Sequence, residues 1–109
     1  MKTAFFNLAD LLRRQEDSGD AWLKFLDLPS MSMGIYHIPA GTDDREHHDH
    51  HVRDEVYVGI DGVGLLHANQ KDMEVKAGTL VFVQAGVDHY FHDVTEDLTV
   101  LVFFAGGAG

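Results

Sequence analysis

The stretch REHHDHHVRDEVYVGIDG, residues 45–62, contains four of the eight histidines of the chain, followed by acidic residues and an alternating apolar segment. Histidines at positions 48 and 50 are two residues apart, so in an extended strand they lie on one face and chelate one ion together. Glu55 and a distant histidine would complete such a ligand set. A histidine tract beside a loop is also common on solvated surfaces, so its meaning depends on its surroundings.

The composition of the chain limits the kind of protein and the kind of metal site to which the tract can belong. A length of 109 residues suits one domain, and an apolar fraction of 45% is enough to form a core. The formal charge of −10 argues against a nucleic-acid or anionic-membrane surface, since both need clustered Lys and Arg. The chain has no cysteine, which excludes disulfides and thiolate metal sites. Imidazole and carboxylate ligands suit Mn, Fe, Zn, Ni or Cu.

The N-terminal segment differs in character from the rest of the chain. Apolar residues at helical spacing predict a short amphipathic helix over residues 7–16. Asn7 and Asp10 interrupt the apolar stretch, and no cleavage site for a signal peptide follows it. No run approaches the eighteen or so apolar residues of a membrane span, so we expect a cytoplasmic protein with no membrane partner.

From Ser30 onward, short runs of apolar or alternating residues are bounded by Gly, Pro, Asp or Asn. Short strands with regular turn signals between them are typical of an all-β sandwich or barrel. We therefore expect one domain over residues 1–109, with an N-terminal helix and arm over 1–29 and a β-barrel over 30–105. The runs span residues 31–38, 55–60, 64–68, 72–76, 79–84, 89–94 and 98–104.

Two spaced motifs give the histidine tract a context. The first reads G-x6-H-x-H-x4-E-x6-G and the second G-x5-Q-x-G-x2-H-x3-D. Together they resemble the two motifs of the cupin superfamily, small single-domain members in particular, and they cover residues 41–93. The motif positions are Gly41, His48, His50, Glu55 and Gly62 in the first, and Gly78, Gln84, Gly86, His89 and Asp93 in the second.

The resemblance implies a small antiparallel β-barrel of the jelly-roll, or double-stranded β-helix, type. It also implies one divalent transition metal, held by His48, His50, Glu55 and His89. Three departures from the family pattern leave these four residues in place: one extra residue before His48, Gln84 where the family has Pro, and Asp93 where it has Asn.

The register of the histidine tract remains open between two ligand sets. Strict alternation backwards from Glu55 places Asp49 and His51 on its face of the strand, and His48 and His50 on the other. A β-bulge within residues 51–53 would bring His48 and His50 round to Glu55. The alternative set consists of Asp49, His51, Glu55 and His89.

Several residues outside the motifs are weaker candidates for a role in the site. Tyr57 shares a face with Glu55 and is a candidate catalytic or hydrogen-bonding residue, although a core aromatic fits equally well. His89 shares a face with Phe91, whereas His92 lies on the opposite face and is interpreted as a surface or inter-strand residue. The histidines at positions 37 and 67 are interpreted as structural.

The sequence predicts a metal-binding cupin that acts on a small molecule. A metal-dependent enzyme of dioxygenase, isomerase or lyase type is the leading hypothesis, and a non-catalytic metabolite- or metal-binding or sensing cupin is the alternative. Exposed strand edges and an apolar N-terminal arm also predict a homodimer. The arm contributes Phe5, Phe6, Leu8, Trp22, Leu23, Phe25 and Leu26.

Overall fold

An antiparallel sheet of six strands, preceded by one short helix, makes up the structure, a computed structural model that describes residues 2–47 and 52–106. The prediction of an all-β fold with a short N-terminal helix is confirmed. The elements in chain order are α1 (Leu8–Ser18), β1 (Trp22–Asp27), β2 (Met31–Ile38), β3 (Glu55–Ala68), β4 (Lys71–Lys76), β5 (Leu80–Val83) and β6 (His89–Ala105).

Helix α1 begins and ends at residues that satisfy its terminal backbone groups. The side chain of Asn7 accepts a hydrogen bond from the backbone N–H of Asp10. Gly19 follows the helix with φ of 73°, and its N–H donates to the carbonyl of Glu16. Leu11 and Gln15 are the buried residues of the helix. No described helix combines the length and the apolar character needed to cross a membrane.

The sheet is organised around its two long strands, β3 and β6. The strand order is β1-β2-β6-β3-β4, and β5 pairs with β3 outside this path. The first part of β3 lies between β5 and the end of β6, and its last part lies between β4 and the start of β6. The start of β3 therefore pairs with β5 and the end of β6, whereas the start of β6 pairs with the end of β3.

Strand β3 bends in its middle, where the sequence predicts a turn between two separate strands. Its pairing with β6 shifts register three times between Gly59 and Leu65, and the ladder continues on both sides of these shifts. Gly62 has φ of 85°, and a Cβ atom there would overlap the carbonyl oxygen of Asp97. Bulges therefore turn the strand without breaking the ladder, which is why strands predicted at 55–60 and 64–68 form one element.

Strand β6 also joins two predicted strands, and the side of the chain that is buried changes at Asp93. Before this residue His89 and Phe91 are buried, whereas after it Val94 and Leu98 are buried. Asp93 has φ of 45°, in the left-handed region that Asn and Asp adopt more readily than most residues. This single residue keeps both halves of β6 facing the same interior.

The hydrophobic core is one cluster of buried apolar side chains. Because β3 and β6 supply most of its side chains, the start of each strand borders the core directly. The buried members are Ile38, Tyr57, Leu66, Val75, Val81, Val83, Phe91, Val94, Leu98, Val100 and Val102.

Candidate metal centre

Glu55 and His89 meet inside the sheet at the starts of β3 and β6. The Nε2 atom of His89 lies 2.8 Å from the Oε1 atom of Glu55. Their side chains are only 2% and 1% exposed, respectively. Ladder pairing places Glu55 opposite Val83 on one side and Phe104 on the other. A buried carboxylate carries a large desolvation cost, which a bound cation would offset.

The imidazole of His89 is oriented by the backbone. Its Nδ1 atom lies 2.9 Å from the carbonyl oxygen of Val87, which only accepts hydrogen bonds. Nδ1 therefore carries the proton and donates, and Nε2 is directed toward Glu55. Metal-binding histidines typically show this arrangement, in which one ring nitrogen donates to a carbonyl or carboxylate and the other binds the ion. Glu55 and His89 thus fit the donor set expected for a divalent metal.

Tyr57 lies beside this pair, two residues along β3. Its hydroxyl oxygen is 3.1 Å from Nε2 of His89, and the residue is buried. The ring packs edge-on against Phe91, with ring centroids 5.3 Å apart. Tyr57 thus has both properties considered from the sequence, a core ring and a hydroxyl directed at the candidate ligand.

Residues 48–51 of the histidine tract lie outside the described residues. His48 and His50, and the alternative pair Asp49 and His51, all fall within this stretch, so the structure does not test the register question. The two other ligands of the predicted set, Glu55 and His89, are brought together. The full ligand set remains a prediction.

The loop before the tract runs along the edge of β6. The N–H of Gly41 donates to the carbonyl of Val94, and the N–H of Asp44 donates to that of Phe91. In the same loop the pKa of Asp43 lies below its ordinary value, because the backbone N–H of Arg45 donates to the carboxylate at 3.0 Å, and its side chain adds a second bond. These contacts fix the segment that leads into the tract.

A second group of metal-ligating side chains lies on the other face of the sheet. His67, Asp72 and His92 bring one ligand atom each to within 4.8 Å of one another, the one such group among residues 2–47 and 52–106. The pKa of Asp72 is lowered because His67, and then His92, hydrogen bond to its carboxylate. The interpretation of His92 as an inter-strand residue is consistent with this position, but the three-residue cluster was not predicted.

A signal for the cluster is present in the turn between β3 and β4. Asn69 and Gln70 both have positive φ, of 51° and 62°, and they form a two-residue hairpin turn. Such a turn places His67 directly opposite Asp72. The strand runs predicted at 64–68 and 72–76 leave a longer turn over residues 69–71, and that turn would not set His67 opposite Asp72.

Comparison with known proteins identifies the fold. The family model of the cupin domain matches residues 34–104. An uncharacterized protein of Streptomyces coelicolor is 38% identical over 100 residues, which are 92% of this chain and 93% of that protein.

Two solved structures share the architecture at low sequence identity. An RmlC-like cupin of Methanocaldococcus jannaschii with a double-stranded β-helix fold has a TM-score of 0.69 and 17% identity, over 79% of each chain. The salicylate 1,2-dioxygenase of Pseudoaminobacter salicylatoxidans, in complex with gentisate, has a TM-score of 0.66 and 14% identity, over 90% of this chain and 30% of that one. The jelly-roll prediction is confirmed by this likeness.

Proposed function

Because the chain belongs to the cupin family, we propose that it binds one divalent transition metal inside the barrel and acts on a small molecule held beside that metal. The proposed ligands are His48, His50, Glu55 and His89, and the metal is Mn, Fe, Zn, Ni or Cu. The observation that carries the proposal is the buried contact of 2.8 Å between Glu55 and His89.

The metal, when bound, supplies Lewis-acid polarisation of an oxygen atom of the substrate. The residues of the chain prepare the site for it. Glu55 brings a negative charge into an apolar interior, and the carbonyl of Val87 holds the His89 ring in one orientation. Tyr57 places a hydroxyl group 3.1 Å from Nε2 of His89, beside the proposed metal position, where it would donate a hydrogen bond to a substrate.

We infer that the activity is enzymatic and of dioxygenase, isomerase or lyase type. Three histidines and one carboxylate leave coordination positions open for a substrate, which metal-assisted catalysis requires. The salicylate 1,2-dioxygenase shows that the same fold supports oxygenase chemistry in another protein. A shared fold does not transfer the reaction, so the substrate has to be identified by assay.

Elemental analysis of the purified protein tests the metal assignment. We expect the double variant His48→Ala/His50→Ala to contain about one equivalent of transition metal per chain less than the wild type. The matched control is His37→Ala, which removes a half-buried histidine that contacts Thr99 instead. Equal metal content in the double variant and the control would overturn the assignment.

Assembly as a homodimer is a second part of the proposal. Apolar side chains remain on the surface of the described chain, where Phe5 is 94% exposed, Leu80 70% and Phe82 63%. Leu80 and Phe82 both belong to β5, whose side chains point alternately into and away from the core. Burial of this surface in a symmetric contact would remove the apolar area from water. Light scattering at micromolar concentration is expected to give twice the mass of one chain, and a monomer would contradict this.

A further inference from the structure

Two imidazoles and a carboxylate converge on the outer face of the sheet. The Nδ1 atom of His67 lies 2.7 Å from Oδ1 of Asp72, and the Nε2 atom of His92 lies 2.9 Å from the same oxygen. Each of the three residues comes from a different strand, namely β3, β4 and β6. Side chains from three strands therefore meet at a single carboxylate oxygen.

Strand pairing places these residues on the face of the sheet opposite to Glu55 and His89. His67 pairs with Asp72 across the hairpin and with Tyr90 on β6. The neighbours of His67 on β3, Leu66 and Ala68, are buried on the inner face, where Ala68 lies opposite His89. Because side chains alternate along a strand, the cluster and the interior centre occupy opposite faces of the same sheet.

Both imidazoles are oriented by contacts outside the cluster. The two ring nitrogens of His92 both face carboxylate oxygens, Nδ1 at 2.9 Å from Oδ2 of Asp93 and Nε2 at 2.9 Å from Oδ1 of Asp72. With an ion bound at Nε2, Nδ1 would carry the proton and donate to Asp93. A carboxylate behind the imidazole is the arrangement that fixes the tautomer of metal-binding histidines. The ring of His67 stacks on Tyr90, with centroids 4.9 Å apart and an interplanar angle of 22°.

We propose that His67, Asp72 and His92 form a second metal site, separate from the cupin centre, that binds a divalent transition ion of the Zn²⁺ type. The ligand atoms are Nδ1 of His67, Oδ1 of Asp72 and Nε2 of His92. Two imidazole nitrogens and one carboxylate oxygen suit such ions and leave a further position for water. The site does not depend on the metal assignment of the interior.

The geometry allows an ion to enter with a small movement. Ligand bonds of 2.0–2.2 Å in a tetrahedral arrangement separate ligand atoms by about 3.3 Å, so the two contacts to Asp72 would open by roughly half an ångström. Asp72 is exposed on a hairpin, and its side chain is 51% exposed, so it can make this adjustment. His67 is partly exposed as well, which gives an ion access from solvent, whereas His92 is buried.

Titration of the metal-free, full-length protein with Zn²⁺ against a chromophoric chelator tests the proposal. Asp72→Asn keeps the shape of the side chain and removes its charge. The matched control is Glu74→Gln, which makes the same change two residues along the same face of β4, at a residue that is also exposed. We expect Asp72→Asn to bind one ion fewer than Glu74→Gln or the wild type. Equal stoichiometry and affinity in the two variants would overturn the proposal.

Further variants separate metal binding from a purely structural cluster. Asp93→Asn keeps a residue that tolerates positive φ and is expected to weaken Zn²⁺ binding by about 10- to 100-fold. His67→Ala is expected to lose the ion while keeping the cooperative unfolding of the wild type. If these two variants lower only thermal stability, with Zn²⁺ binding unchanged, the cluster is a hydrogen-bond network and the proposal fails.

The two metal assignments fail independently of each other. The variant His48→Ala/His50→Ala is expected to keep the outer ion, because neither residue belongs to the cluster. The outer ion is measured as the difference in bound Zn²⁺ with and without the additional change Asp72→Asn. If this difference disappears in the His48→Ala/His50→Ala variant, the two sites are not separate.

Discussion

The imidazole of His89 and the carboxylate of Glu55 are held 2.8 Å apart although they begin two different strands. Replacement of His89 by Ala would leave the buried carboxylate with a cavity in place of the imidazole. We expect the free energy of unfolding to fall by about 3 kcal/mol, since removing one partner of a buried polar pair is strongly destabilising. Urea denaturation of metal-free protein measures this. His37→Ala is the control, and an equal loss there would show that the contact has no special role.

The hydroxyl group of Tyr57 is expected to contribute modestly to stability. Tyr57→Phe keeps the ring packing on Phe91 and removes the contact with His89. We expect the free energy of unfolding to fall by about 1 kcal/mol, the usual net value of one hydrogen bond. The ¹⁵N chemical shift of His89 Nε2 should change as well. An unchanged shift would contradict the contact.

Gly62 is expected to tolerate no side chain at the bend in β3. Gly62→Ala adds a Cβ atom that overlaps the backbone of Asp97, in addition to the cost of positive φ. Gly78→Ala is the matched control, because Gly78 has φ of 89° but open space around the added atom. We expect a loss of about 1 kcal/mol for the control and several times more for Gly62→Ala, measured by thermal unfolding. Equal losses would show that the close approach to Asp97 relaxes without cost.

The acid side of the stability profile is expected to depend on Asp43. Its pKa is lowered because the backbone N–H of Arg45, and then the Arg45 side chain, bind the ionised carboxylate. A lowered folded-state pKa means that the contribution to stability is present above the ordinary carboxyl pKa and is lost as pH falls through the folded value. Asp43→Asn should therefore narrow the stability difference between neutral and acidic pH. A difference from wild type that is constant across this range would contradict the assignment.

Local pattern and motif spacing were sufficient for the fold class and for selecting two residues, Glu55 and His89, that meet in the interior. Alternating apolar runs predict the strands, and the two glycine-bounded motifs place Glu55 and His89 at positions that the structure brings together. The breaks predicted between the runs at 55–60 and 64–68, and between those at 89–94 and 98–104, were wrong, because β3 and β6 bend while their ladder continues. Register shifts of this kind leave no clear periodic signal, so a turn and a bend look alike in sequence.

The amino-acid sequence by itself determined which side chains are chemically able to bind a metal and which of them follow the family spacing. Only the tertiary structure decided which of them meet. The two-residue turn at Asn69 and Gln70 sets His67 opposite Asp72, and β6 then brings His92 to the same oxygen. The positive φ of Asp93 lets the segment before it direct His89 into the interior, and the carboxylate of Asp93 contacts His92 on the outer face. Those outcomes depend on strand register and on one positive φ, which are fixed by pairing across the sheet and not by the local order of residues.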